Sequence, residues 1–302
     1  MFKSLLSERD ITREDFAAIM KKSAIIKAER DLHAYRPLEN KSIGMIFAKS
    51  STRTRVSFDV GISELGGKPL YLEQGKMQMG RGETIADTAK VLSRYLHGIV
   101  IRTYSQADVE ELSRESHIPV INALTDDFHP CQILTDLFTI AEYSGSCDGI
   151  KLAFFGDGRS NMANSFIQAA ALCDIEIVIC APKEFSPNME LAAPGTKVKY
   201  IQNPLEAAKN ADYLYTDVWV SMGVENEATE RMNLLRPYQV NMDLIRVAKP
   251  NVKVMHCLPA HRGEEISADV MDSDYSIVFD EAENRLHVQK AIMGLIFENL
   301  AK

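Results

Sequence analysis

The chain has 302 residues, 46% of them apolar, and a formal net charge of −8 from 34 basic and 42 acidic side chains. That is more chain than one core comfortably holds, so two domains are expected. The acidic balance argues against a general nucleic-acid surface while leaving room for a local positive pocket.

Five cysteines, Cys131, Cys147, Cys173, Cys180 and Cys257, are odd in number and widely spaced, with no Cys-x-x-Cys pair; they read as free thiols in a reducing cytosol. No run approaches the roughly 20 apolar residues that span a bilayer, and the start of the chain, charged from Lys3 onward, lacks a secretory apolar stretch. A cytoplasmic location is expected.

The first strong element is Ile43-Gly44-Met45-Ile46-Phe47, a short apolar run of the kind that forms a buried strand. Behind it, Ser51-Thr52-Arg53-Thr54-Arg55 opens a helix whose apolar positions Phe58, Ile62 and Leu65 keep the i, i+4, i+7 spacing until Gly66-Gly67. A helix start has amides without intrahelical acceptors and the positive end of the macrodipole, so an anion docks there. Hydroxyls of Ser51, Thr52 and Thr54 can add donors, and the guanidinium of Arg53 or Arg55 can grip two phosphate oxygens. The plainer alternative is a Ser/Thr cap with two solvated arginines.

Apolar runs and helical patterns then alternate. Ile85, Ala89, Leu92 and Leu96 form one side of a helix; Gly98-Ile99-Val100-Ile101 reads as a strand ending at Arg102; Val120-Ile121 reads as another, followed by His129-Pro130-Cys131-Gln132. There an imidazole and an amide sit at i and i+3, with Pro130 pre-set for the first turn of a helix carrying Leu134, Leu137, Phe138 and Ala141. Ser144-Gly145-Ser146 suits a boundary, which places the domain seam near residues 130–150.

Beyond it, Leu152-Ala153-Phe154-Phe155, Ile175 to Cys180, Tyr213-Leu214-Tyr215, Val252-Lys253-Val254-Met255 and Ile277-Val278-Phe279 are further apolar runs, and Met162, Phe166, Ala169 and Cys173 mark a helix. A last helix carries Val288, Ile292 and Leu295. This is the rhythm of α/β units around parallel sheets. The expected division is 1–140, with a C-terminal helix 286–302 packing back on it, and 141–285.

The unusual polar residues fall just after the apolar runs, where open α/β sheets bind ligands. Gly156-Asp157-Gly158-Arg159-Ser160-Asn161 matches the dinucleotide fingerprint only in part, because Asn161 replaces the third glycine and no acid follows the next strand. Asn161 offers instead an amide at a helix start, where a small carboxylate can bind. Asp217 is either an ammonium-binding carboxylate or a cap beside a surface loop that holds Trp219, Ser221, Met222 and Gly223. In His256-Cys257-Leu258-Pro259, adjacent His and Cys point to opposite sides of an extended chain, which argues against a zinc pair. Cys257 is then a nucleophile, a packing residue or a thiol contacting a substrate amine.

The segments 51–55, 129–132 and 256–259, in this order and at these separations, resemble the carbamoyltransferase family across nearly the whole chain. Asp217 with Ser221-Met222-Gly223, and cysteine at 257 where the aspartate branch has proline, are similar to the ornithine branch.

The resemblance implies two α/β domains, each with a central parallel sheet flanked by helices, and an active site in the cleft between them. It implies transfer of the carbamoyl group of carbamoyl phosphate to the δ-amine of L-ornithine, giving citrulline and phosphate. Carbamoyl phosphate would be bound by Ser51, Thr52, Arg53, Thr54, Arg102, His129, Gln132, Cys257, Leu258 and Arg285, with Gln78 supplied by a neighbouring subunit. Arg102, His129 and Cys257 would carry the chemistry, and Asn161, Asp217, Ser221 and Met222 would hold ornithine. No metal or organic cofactor is implied, and a homotrimer is. The rival readings are another amine acceptor, such as putrescine or an acylated ornithine, and a nicotinamide-dependent dehydrogenase.

Overall fold

Ile43, Met45, Ile46 and Phe47 are buried in the strand β1 (Ser42–Phe47), which pairs in parallel on both edges, with β2 (Lys68–Glu73) and β3 (Gly98–Arg102). With β4 (Val120–Leu124) they make a four-stranded sheet in the order β2-β1-β3-β4. The computed structural model describes residues 2–32, 34–49, 51–79, 82–220 and 228–301. It splits into two compact units, Met1–Phe138 with Glu283–Lys302, and Thr139–Ala282. Among the described residues no helix is long and apolar enough to cross a membrane.

The first unit's helices are α1 (Arg13–Ala28), α2 (Thr52–Glu64), α3 (Ile85–Tyr95) and α4 (Gln106–Glu115); the chain leaves this unit within α5 (Pro130–Ser144). The second unit has β5 (Lys151–Phe155), β6 (Glu176–Cys180), β7 (Lys197–Ile201), β8 (Tyr213–Thr216) and β9 (Lys253–His256), all parallel, in the order β7-β6-β5-β8-β9. Its helices are α6 (Asn161–Ala169), α7 (Pro204–Ala208), α8 (Ala228–Leu235), α9 (Met242–Val247) and α10 (Ala268–Met271), before α11 (Val278–Leu300) returns the chain to the first unit.

A short capped turn follows strand after strand. Ser51, Thr84, Ser105, Ser160 and Asn203 each accept a hydrogen bond from the amide three residues on, satisfying one orphan donor at the start of α2, α3, α4, α6 and α7. Ile46, Ile99, Ile101 and Val120 pack under Ala89, Val109 and Leu112 in the first unit. In the second, Ala153, Phe155, Val178 and Leu214 pack with Val240, Val254 and Ile266 on one side of the sheet, and Phe154, Phe166 and Tyr215 form an aromatic cluster, with Phe166 edge-on to Tyr215 at 4.8 Å.

Two sequence expectations change, and two strands escape the sequence reading. Ile277-Val278-Phe279 is not a strand: Ile277 precedes α11, which starts at Val278, and Phe279 is exposed. The helix through Met162 ends at Ala169, so Cys173 lies in the turn after it. β2 and β7 are strands without a continuous apolar run, because each is an edge strand with exposed residues, whereas the edge strands β4 and β9 are covered by bridges from Leu5 and Ser276 and stay buried.

Phe166 is fully buried, and its removal leaves Tyr215 and Phe154 facing a void. Phe166→Ala should cost about 3–5 kcal/mol of unfolding free energy, read as a lower urea midpoint for the transition of residues 139–282; an unchanged midpoint would contradict this packing.

Candidate functional site

The order β2-β1-β3-β4 reverses direction between β1 and β3, and ligands bind at such switch points beyond the strand carboxyl ends. The residues emerging there are Ser51 to Arg55 after β1 and Arg102 at the end of β3. Ser51 caps α2 by accepting from the Thr54 amide at 3.3 Å, which leaves the amides of Thr52 and Arg53 at N1 and N2 with no acceptor inside the helix.

Two arginines from distant parts of the chain meet at Thr54. Arg102 donates through Nη1 to Thr54 Oγ1 at 3.2 Å, and Arg285 donates through Nη2 to the same oxygen at 2.8 Å across 231 residues of sequence. Both acceptor positions of the hydroxyl are thereby used, so its own proton is the capacity left for a ligand oxygen. Arg285 reaches this point because α11 lies close on α2. A Cβ at Gly61 would sit 3.2 Å from Lys290 Cγ, and Lys290 Nζ is tied to Glu64 at 2.6 Å.

Both arginines of the helix start are exposed, but Arg55 has its guanidinium stacked on the Tyr71 ring at 3.8 Å. That favours Arg53 as the anion ligand. His129, 4% exposed, precedes α5; burial, reinforced by the Arg285 and Arg102 charges, holds its pKa well below the ordinary imidazole range, so the ring is neutral. Gln132 is buried on the first turn of α5, with its Nε2 donating to Asp136 Oδ1 at 2.8 Å. Gln78 is exposed, after β2 and the turn Gln74–Lys76.

In the second unit the reversal lies between β5 and β8. After β5, Asn161 occupies the first turn of α6, beside the cap Ser160. After β8 comes Asp217, and after β9 comes Cys257; the register pair Thr216 and His256 places the two next to each other one step beyond the ladder. Cys257 Sγ donates to Asp217 Oδ1 at 3.0 Å, and the Val218 amide donates to the same oxygen at 2.7 Å. Burial still pushes the Asp217 pKa above its usual value despite these donors. Ser221 and Met222 lie outside the described residues.

Asp217, His256 and Cys257 each bring a metal-ligating atom within 4.8 Å of the others, contrary to the expectation that extended chain would separate His256 from Cys257. The backbone turns directly after the pair, at Leu258 with φ 57° in the left-handed region, and His256 Nδ1 accepts from the Leu258 amide across that turn. Both ring nitrogens of His256 are nonetheless engaged, Nδ1 by the Leu258 amide at 2.8 Å and Nε2 with Glu265 Oε1 at 3.1 Å, so the histidine does not suit a metal.

The partial dinucleotide fingerprint has a structural cause. A Cβ on Gly158 would lie 2.6 Å from the Phe185 carbonyl oxygen, so this glycine makes room for the protein's own loop and not for a pyrophosphate. Asp157 is paired with Arg231 at 2.6 Å, and Arg231 also donates to the Trp219 carbonyl at 3.1 Å and covers the Phe185 ring at 4.6 Å. Arg231, Glu265 and Glu281 escape a reading of local motifs, because each looks like an ordinary charged residue on a helix or turn.

Residues 3–142 match the family model for the carbamoyl-P binding domain of aspartate/ornithine carbamoyltransferase, and residues 148–296 match the model for its Asp/Orn binding domain. The chain is 50% identical to an ornithine carbamoyltransferase of Syntrophus aciditrophicus, over 98% of this chain and 100% of that one. It is 48% identical to one of Archaeoglobus fulgidus, over 96% of each. The solved ornithine carbamoyltransferase of Pyrococcus furiosus superposes with a TM-score of 0.92 at 46% identity, covering 97% of this chain and 96% of the other. With both units matched and relatives aligned over nearly the full length, the chain belongs to the aspartate/ornithine carbamoyltransferase family.

Proposed function

We propose that this chain transfers the carbamoyl group of carbamoyl phosphate to the δ-amine of L-ornithine, releasing citrulline and phosphate, as a cytoplasmic step of arginine biosynthesis. The observation that carries the reading is the meeting of Arg102 and Arg285 on Thr54 Oγ1 at a helix start, beside a neutral His129. A phosphate monoanion or dianion is the ligand such a group suits. The acceptor is argued from Asp217 with Cys257, a carboxylate and thiol suited to an amino group, and from Asn161 at the start of α6, suited to a carboxylate. By the family motif alone, Ser221 and Met222 complete that amino-acid site.

The attacking amine must be neutral, whereas a free alkylamine has a pKa of about 10.4. Exclusion of water favours the uncharged form. As the amine adds to the carbonyl, the oxygen gains negative charge, with Arg102 and a neutral His129 as its donors; as the bond from carbon to the phosphate oxygen breaks, the proton shed by the nitrogen passes to the departing phosphate. Arg53, the Thr54 hydroxyl and the α2 amides stabilise phosphate as it departs, with Gln132, Arg285 and the backbone of Cys257 and Leu258 holding the carbamoyl end. Holding two small molecules face to face is worth roughly 7–11 kcal/mol of barrier, so no covalent intermediate is needed. Gln78, exposed beyond β2, is assigned to the site of a neighbouring copy in a homotrimer.

Mixing the protein with carbamoyl phosphate and ornithine should release phosphate and form citrulline in equal amounts, with putrescine a far poorer acceptor. Equal rates with putrescine would move the assignment to another acceptor, since putrescine lacks the carboxylate that Asn161 addresses.

Arg53→Ala should raise the KM for carbamoyl phosphate and leave that for ornithine within about twofold, and Asp217→Asn should do the reverse, by about ten- to a hundredfold, as loss of a charged hydrogen bond does. Equal effects on both substrates would refute the division of labour.

Folding holds His129 neutral where a free imidazole of pKa about 6.5 takes up a proton, so below that value the unfolded chain binds more protons and stability falls as pH falls. His129→Gln lacks this penalty. The stability gap between native and variant, read from urea midpoints, should therefore be smaller at pH 5 than at pH 7.5; a constant gap would mean that folding leaves the ring's proton affinity unchanged, and a larger gap at pH 5 that the buried ring is charged.

A further inference from the structure

His256 contributes no atom to the reaction described above, yet it is fully buried and bonded at three points around the Cys257 peptide. An amide N–H can only donate, so the Leu258 amide at 2.8 Å from His256 Nδ1 requires a lone pair on that nitrogen. The proton then sits on Nε2 and is donated to Glu265 Oε1, itself fully buried and also accepting from the His261 amide at 2.5 Å. The ring is thereby held in one tautomer and one orientation.

The bond from Leu258 to His256 closes a turn around Cys257. Leu258 adopts the left-handed conformation that residues with a Cβ disfavour, so the chain needs a tether there. Glu281 supplies a second tether upstream: Oε2 accepts from the His256 amide at 2.9 Å and Oε1 from the Tyr215 hydroxyl at 3.3 Å. One carboxylate thus joins β9 to β8 just before these strands deliver Cys257 and Asp217. The separation of thiol and carboxylate, 3.0 Å, is set by groups behind them.

We propose that His256, fixed by Glu265 and Glu281, is a positioning residue that sets the Cys257 thiol and the Leu258 backbone against Asp217 for the amine-bearing substrate. Its role depends on the acceptor at Nδ1, and neither proton transfer nor metal ligation enters it. The inference rests on the proposed function for its kinetic consequence, but not for its structural one.

The test compares His256→Asn with His256→Gln in the full chain. The Asn carbonyl falls near the position of Nδ1 and can accept from Leu258; the Gln side chain reaches toward Glu265 and leaves that amide without its acceptor. Cys131, Cys147, Cys173 and Cys180 are buried, and Cys257 is the half-buried cysteine, so alkylation by iodoacetamide, located by peptide mass, reports on it. His256→Gln should speed alkylation of Cys257 about fivefold or more and raise the ornithine KM about tenfold, while calorimetric affinity for inorganic phosphate, a ligand of the first unit, stays within about twofold; His256→Asn should recover most of both. Glu265→Leu, which removes the acceptor from Nε2, should follow His256→Gln.

Equal alkylation rates in native protein and both His256 variants would overturn the proposal. So would parallel losses in the Asn and Gln variants accompanied by weakened phosphate binding, the signature of general unfolding. If the native protein turned over no ornithine, the proposed function would fail while the alkylation contrast still decided the positioning role.

Discussion

A parallel sheet delivers every strand's carboxyl end to one edge, and the chemistry of this chain depends on that constraint. Each βα turn beyond such an edge places a polar side chain beside the start of a helix. In the first unit the edge gathers Ser51, Thr54 and Arg102, and Arg285 joins them from α11. In the second it gathers Asn161, Asp217 and Cys257. None of these residues is brought there by a local motif alone; the order of strands brings them.

That explains which parts were legible in the sequence. β1, β3, β5, β6, β8 and β9 are buried on both faces, and a strand buried on both faces is written as an apolar run. β2 and β7 are edge strands with exposed residues along them, which removes that signal, whereas β9, also at an edge, is covered by the bridge from Ser276. Ile277-Val278-Phe279 misleads for the opposite reason: Ile277 and Val278 are buried at the start of a helix, and a triplet is too short for its period to tell helix from strand. At the site, the helix start at Ser51 was within reach of local chemistry; the left-handed turn at Leu258 was not, because leucine carries no turn signal and the segment reads as extended chain. The 231 residues between Thr54 and Arg285, and the acids Glu265 and Glu281 behind His256, were not, since nothing about a buried glutamate distinguishes it in sequence from a solvated one.

A chain of net charge −8 still gathers two arginines at one helix start, the local positive group that the proposed phosphate site calls for. Arg102 and Arg285 donate to the same hydroxyl, and their presence helps to keep His129 uncharged. A third cation there would raise anion affinity at the expense of release; a neutral imidazole supplies a donor without that penalty. The cysteines show a related contrast. Burial pushes Cys131 up to about 12, which makes it an inert packing group, whereas Cys257 is partly exposed and bonded to a carboxylate.

Both units use the same topological device for opposite charges. A phosphoryl group needs only positive partners, and a helix start with two arginines provides them. The proposed acceptor, an α,δ-diamino acid, carries a carboxylate and two amines, and such a molecule calls for a helix start for the first and an acid for the others. Asn161 at the start of α6 and Asp217 beyond β8 stand on adjacent strands of one switch point, which places the two opposite partners side by side. Burial alone raises the Asp217 pKa. The Cys257 thiol and the Val218 amide oppose that rise by donating to its Oδ1, a part for the thiol that is independent of any contact with substrate.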